Sequence, residues 1–203
     1  MAGSQYFDAA PAVTSNRQHV ELILPDVYLA LSTDSGVFSA GQVDKGTRYL
    51  LRELPEVASL PSPPQAILDL GCGYGPIALT MAKRVADAQI WGVDVNERAL
   101  GLAVENATAN GVTNASFGNA HDVDPDQRFD LIVSNPPIRI GKAALHDLLS
   151  TWLDRLSPEG RAWLVVQKHL GSDSLMAWLT ENGWQTTRLG SRKGFRILET
   201  MAR

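Results

Sequence analysis

Residues 66–76 read Ala66-Ile67-Leu68-Asp69-Leu70-Gly71-Cys72-Gly73-Tyr74-Gly75-Pro76, and the fold is read outward from them. Ala66, Ile67 and Leu68 form a short apolar run bounded by turn formers, as a buried strand does. Gly71, Gly73 and Gly75 then recur at every second position. Glycine admits positive φ and lets a ligand approach where a Cβ would clash. Pro76 suits the first turn of a helix, where a missing N–H costs nothing. Ile77 to Val85 continues without a breaker. Strand, glycine loop and helix make the opening unit of a nucleotide-binding α/β fold.

A dinucleotide fingerprint, G-x-G-x-x-G, would need its third glycine at position 76, which is Pro76. The spacing is instead G-x-G-x-G, with Asp69 two residues ahead of it. This resembles the first motif of class I S-adenosylmethionine (SAM) methyltransferases. The resemblance implies that Gly71, Cys72, Gly73 and Gly75 fit around the amino-acid end of the cofactor. It also implies that Asp69 helps hold the cofactor's ammonium group, directly or through water. A second strand over Gln89 to Val93 ends at Asp94, about 20 residues past the loop, where such folds place an acid that accepts ribose hydroxyls. One carboxylate can take both O–H donors. Asn96, ahead of Glu97 and Arg98, fits better than Asp94 as the N-cap of the next helix.

The 203 residues read as one domain, 19–203, behind an arm of residues 1–18. Within it, 19–64 reads as an N-terminal hairpin and helix, and 65–203 as the SAM-binding core. The single cysteine, Cys72, excludes an internal disulfide and a cysteine-rich zinc site. No apolar run reaches membrane-spanning length, and the start does not read as a signal peptide. The expected location is the cytoplasm, with no membrane partner and no metal. Residues 1–160 hold 11 Lys/Arg against 19 Asp/Glu, whereas residues 161–203 hold 7 against 3. An acidic chain argues against strong non-specific nucleic-acid binding, but the basic end leaves room for local phosphate contacts. Arg139, Lys142, Lys168, Arg192, Lys193 and Arg196 are the candidates.

Alternation over Val20–Leu24 and Val27–Leu31, with Pro25-Asp26 between, predicts a hairpin. A loop over 35–47 leads to a helix from Thr47 to Leu54, and residues 55–64, with four prolines, read as a connector. From Ala66 strands and helices alternate: helix 76–86, helix 97–110, a short strand 115–117, strand 129–134, helix 142–153, strand 161–167 and helix 172–181. Two strands, 185–189 and 195–199, close the chain. The pattern predicts a mostly parallel sheet with an antiparallel last strand.

Ser134-Asn135-Pro136-Pro137 follows the strand 129–134, at the end where ligands gather in such sheets. The Asn135 side-chain carbonyl and the Pro136 backbone carbonyl are two acceptors, on a backbone that Pro136 and Pro137 stiffen. Together they can hold an exocyclic NH₂ with its lone pair aimed at an electrophilic methyl, so catalysis is mainly positioning.

These motifs together resemble the methyltransferase small domain of the ribosomal RNA guanine-N2 methyltransferases, of the small-subunit methyltransferase C type. The resemblance rests on Gly36-Val37-Phe38-Ser39 with Asp44 and Gly46, on residues 68–76, and on Val93-Asp94-Val95-Asn96. It continues through Phe129-Asp130, Ser134 to Pro137, and Lys193 to Leu198. It implies a Rossmann-like seven-stranded SAM methyltransferase sheet plus an N-terminal β-hairpin. It places Phe38, Ser39 and Val95 near the cofactor, Asn119 and Ala120 near its adenine, and ribosomal RNA or a ribosomal subunit as partner. The length fits the single-domain branch. One position departs: the residue after Asn-Pro-Pro, often an aromatic that stacks on the flipped base, is Ile138. Ile138, Arg139 and Lys142 are the candidate substrate contacts. Methylation of a protein glutamine amide or a small-molecule amine, and a non-catalytic RNA-binding role, stay open as alternatives. His19, His121, His146 and His169 show no metal-ligand spacing.

Overall fold

The computed structural model describes residues 11–54, 56, 57, 60 and 62–203. Residues 1–10 of the expected arm, and residues 55, 58, 59 and 61 of the expected connector, lie outside them. The chain order is β1 (Gln18–Ile23), β2 (Tyr28–Thr33), α1 (Lys45–Glu53), β3 (Ala66–Leu70), α2 (Pro76–Arg84), β4 (Gln89–Val93), α3 (Glu97–Ala109) and β5 (Ala115–Gly118). It continues with β6 (Phe129–Ser134), α4 (Lys142–Leu153), β7 (Leu156–Gln167), α5 (Ser172–Glu181), β8 (Thr186–Arg192) and β9 (Phe195–Met201). Seven strands form one sheet in the order β5-β4-β3-β6-β7-β9-β8, parallel except for β9, which runs against both neighbours. This is the expected Rossmann-like methyltransferase sheet.

Strand alternation divides the core between the two faces of the sheet. Ile67, Leu131, Val133 and Trp163 face a layer built from the hairpin, α1, α2 and α3. Leu68, Leu70, Ile132 and Leu164 face α4 and α5 through Leu145, Leu149, Trp152 and Leu179. Both faces are covered, so the central strands read as continuous apolar runs.

Several boundaries shift by a residue or more from the sequence reading, and three shifts have a clear physical reason. Helix α1 begins at Lys45 rather than Thr47, because Asp44 caps it by accepting from the Gly46 and Thr47 N–H groups. Strand β7 begins at Leu156. Leu156 pairs with Phe129 and Arg161 with Leu131, so the breakers Pro158 and Gly160 sit in an irregularity inside the strand. Strands β8 and β9 extend to a two-residue turn, Lys193-Gly194, with φ of 48° and 83°. Two successive left-handed residues match the tight hairpin turn whose twist suits paired strands.

The hairpin β1–β2 is a separate two-stranded sheet, held by side chains of α3. Asn106 accepts from the Ser32 N–H at 2.7 Å and donates to the Ser32 carbonyl at 2.9 Å. One turn on, Asn110 does the same to Ala30 at 3.1 and 2.8 Å. The two carboxamides therefore stand where a neighbouring strand's peptide groups would be, and β2 has no open edge there. Asn106 also donates to the Tyr74 carbonyl, which fastens the glycine loop to the same helix. Further along, Asn96 donates to the Gly36 carbonyl and Arg98 to that of Ser35, so α3 also fixes the loop that follows β2.

Asn106→Ala leaves the Ser32 N–H and two carbonyls without these partners. Unfolding in urea should show a loss of about 3 kcal/mol, since a buried group left unmade costs roughly 1–3 kcal/mol. The slope should stay unchanged. A stability within 0.5 kcal/mol of wild type, the roughly neutral range of surface substitutions, would mean that packing alone docks the hairpin.

Candidate active site

The glycine loop turns through three left-handed residues, Gly71, Gly73 and Gly75, with φ of 75°, 55° and 92°. No side chain is tolerated cheaply there, and a Cβ on Gly73 would meet no atom within 4 Å, so the space beside it is open. The Gly71 and Cys72 N–H groups donate to the Val93 carbonyl at 2.8 and 3.0 Å. The Gly73 N–H donates to one oxygen of Asp94 at 2.8 Å, and the Asn96 N–H to the other at 2.9 Å. The Val95 backbone also favours the Asp94 carboxylate, which as an acceptor-only group faces the cavity with its remaining lone-pair capacity for a ribose hydroxyl. Asn96 itself caps α3 by accepting from the Ala99 N–H, as its sequence context implies.

Asp69 lies behind the loop, 1% exposed. One oxygen accepts from the Ala78 N–H in the first turn of α2, at 2.8 Å. This serves a helix whose N-cap, Gly75, has no side chain to offer. The other oxygen is buried with no hydrogen-bond partner. Burial pushes the carboxyl up to about 8, against the pull of the Ala78 N–H. The Cys72 thiol is likewise raised by burial, which keeps it an inert packing group.

A cavity of about 410 Å³ opens at the C-terminal ends of β3, β4, β6 and β7. Asn135 stands half-buried in its wall. Its side-chain nitrogen donates to an Asp44 carboxylate oxygen at 3.0 Å and to the Thr47 hydroxyl at 3.1 Å. A carboxylate only accepts, so the nitrogen must face Asp44 and the carbonyl oxygen is left for the cavity. Beneath it the Ser134 hydroxyl donates to the Leu70 carbonyl at 2.6 Å and ties β6 to β3. Pro137, at φ −75° and ψ 69°, makes an inverse γ-turn. The Ile138 N–H therefore already donates to the Pro136 carbonyl at 2.8 Å. That carbonyl has one lone pair left, not two.

Of the residues singled out in the sequence, Phe38, Ser39, Gly71, Cys72, Gly73, Asp94, Val95, Ala120, Asn135, Pro136, Pro137, Ile138 and Arg139 all line this cavity. Asp69, Gly75 and Asn119 support it from behind or beside, and Lys142 lines a smaller neighbouring cavity instead. The Ser39 hydroxyl proton is committed to the Gln42 carbonyl. Sequence reasoning did not assign site roles to Asp44 and Thr47, nor to Gln167 and Phe195. Gln167 ends β7, a positional signal; nothing local marks Asp44 as a partner of Asn135, 91 residues away.

The basic candidates divide. Arg196 has a side chain only 11% exposed and is ion-paired with Asp173, so it is not available to a phosphate. Arg192 pairs with Glu53 at 3.2 Å. Arg139, Lys142, Lys168 and Lys193 are exposed. Among the described residues no group of three or more His, Cys, Asp or Glu is placed to hold a metal ion.

Residues 28–199 match the family model described as the methyltransferase small domain. An uncharacterised Bacillus subtilis protein, YbxB, is 38% identical over 96% of both chains. A ribosomal RNA small subunit methyltransferase C of Hahella chejuensis is 39% identical over 70% of this chain and 41% of its own. Among solved structures, a T. thermophilus 16S rRNA guanine-N2 methyltransferase, in complex with AdoMet and guanosine, superposes with a TM-score of 0.78 at 25% identity. That match covers 95% of this chain and 52% of the other. The chain spans nearly all of the B. subtilis relative and about half the length of the methyltransferase C relatives it matches.

The raised Asp69 carboxyl sets a pH dependence of stability. A carboxyl whose folded value lies above its unfolded one stabilises the fold while protonated. That contribution is complete below about pH 4 and lost as pH rises to about 8. Asp94, also raised by burial, acts in the same direction. The ligand-free protein should therefore show a melting temperature that falls across this window. Asp69→Asn should flatten the fall, and an unchanged slope would mean that Asp69 is ionised in the fold.

Proposed function

The chain belongs to the methyltransferase small domain family of SAM-dependent methyltransferases, and we propose that it methylates the exocyclic N2 of a guanine in ribosomal RNA. The observation that carries the reading is the lock on Asn135, whose nitrogen is held by Asp44 and Thr47 so that its oxygen faces the cavity.

The residues present suit SAM. Asp94 lines the cavity as an acceptor for ribose hydroxyls, and the unpartnered oxygen of buried Asp69 awaits a donor or a cation. The open space beside Gly73 admits the amino-acid end, while the exposed side chains of Phe38 and Val95 flank the cavity. Bound SAM supplies an electrophilic methyl group on a sulfonium.

The chain's own work is then to present an amino group. The Asn135 oxygen and the remaining lone pair of the Pro136 carbonyl accept its two N–H bonds. This fixes the nitrogen in place, with its lone pair turned toward the cofactor end of the cavity. No strong base is needed, because the proton lost afterwards can pass to water. Ile138 and Arg139, just past the motif, meet the rest of the base and its phosphate. The exposed cations Arg139, Lys142, Lys168 and Lys193 favour an RNA substrate over a neutral amide, although the chain as a whole is acidic. In this reading residues 19–203 act as one unit, and the enzyme works in the cytoplasm. No helix of the described residues is long and apolar enough to cross a membrane.

The test is methyl transfer from labelled SAM to ribosomal RNA, ribosomal subunits and protein extract, followed by nucleoside analysis. Label in N2-methylguanosine is the expected result; label only in protein would overturn the substrate assignment. Asn135→Ala should lower the turnover by at least about 10²-fold, the scale of a misplacement near 1 Å, while SAM affinity stays close to wild type. Undiminished turnover would reduce Asn-Pro-Pro to a turn.

A further inference from the structure

A second cavity, of about 210 Å³, adjoins the first and has no role in the chemistry above. Ile138 and Leu170 line both. Leu145 and Leu175 give the second cavity an apolar floor, each less than 6% exposed, and Lys142, His146 and Ser174 supply its polar groups. We propose that this cavity receives the nucleobase adjoining the methylated guanosine, with Lys142 on the phosphate that links the two. The inference rests on the RNA reading.

Shared walls are what a continuous chain needs: a base entering the large cavity carries its neighbour to within one nucleotide of Ile138. An apolar floor suits the flat face of a base, and the polar groups suit its edge. The Ser174 hydroxyl donates to the Gly171 carbonyl at 2.9 Å, so its oxygen presents lone pairs to a donor. The His146 ring is stacked on Trp178 at 3.7 Å between centroids, which fixes its orientation. Burial and the nearby Lys142 charge lower its pKa, and a neutral imidazole offers one donor and one acceptor. Lys142 stands exposed at the mouth, in the first turn of α4, where Gly141 provides no capping side chain. The positive end of that helix and the ammonium group therefore favour the same anion. A peptide bearing a target amide would leave this cation without a counter-charge.

The experiment measures transfer from labelled SAM to protein-free ribosomal RNA by Lys142→Ala and by Ser174→Trp, which fills the cavity from an exposed helical position. SAM affinity, read by calorimetry, serves as the control for folding. Each variant should raise KM for RNA about tenfold, which for Lys142→Ala is the scale of one lost charge-assisted contact and for Ser174→Trp that of excluding the base from its cavity. Lys142→Ala should also make the salt dependence of KM shallower by roughly 0.7 in log–log slope, the value of one phosphate on a single strand. Wild-type transfer to RNA that both variants leave unchanged in KM and salt slope would overturn the subsite alone. Wild-type transfer to protein and not to RNA would overturn the RNA reading and the subsite together.

Discussion

One oxygen of Asp44 accepts three hydrogens: from the Gly46 and Thr47 N–H groups at 2.7 and 3.1 Å, and from Asn135 at 3.0 Å. The first two make it the cap of α1, and the third makes it the orienter of Asn135. A carboxamide turned by 180° has nearly the same shape and the opposite hydrogen-bonding sense. Only a group that cannot donate decides between the two, and Asp44 is such a group. The acceptor face of the site is thus set by a residue of the N-terminal segment rather than by the motif itself. Gly46 must be glycine for the arrangement to hold, because a Cβ there would lie 2.8 Å from the Phe195 ring and 2.9 Å from the Asp44 carboxylate.

The N-terminal hairpin and loop therefore belong to the site as much as the sheet does. Helix α3 holds them through Asn96, Arg98, Asn106 and Asn110, and the same helix begins just past Asp94. The proposed cofactor side and substrate side thus share one support, helix α3. Asp69 plays a comparable double part on β3, where one oxygen serves the start of α2 and the other stays unpaired in a buried setting. Such a group holds its proton until a cation or donor reaches it.

Much of this was legible in the sequence because it is local. Three glycines at every second position, an acid at the end of each of two strands, and Asn-Pro-Pro after a third each constrain the backbone within a few residues. The alternation of short apolar runs with helical segments pointed to the sheet. What escaped is what depends on partners far along the chain. Pro158 and Gly160 argue against a strand, yet β7 begins before them, because Leu156 finds Phe129 across the sheet. Arg196 reads as a surface cation, but β9 lies between β7 and β8 and its neighbour Asp173 takes the charge. Asp44 reads as part of the loop ahead of α1, yet it caps that helix, and its second duty appears only when position 135 folds back onto it.

The asparagine edge of β2 has a consequence for the order in which the chain becomes safe. Ser32 leaves the ribosome 74 residues ahead of Asn106. At synthesis rates of about 5–20 residues per second, the nascent hairpin waits roughly 4–15 s for the side chains that close its edge. During that interval its outer backbone groups can pair only with water or with another chain. The price of borrowing a helix to finish a sheet is a window in which the newborn hairpin carries an open edge.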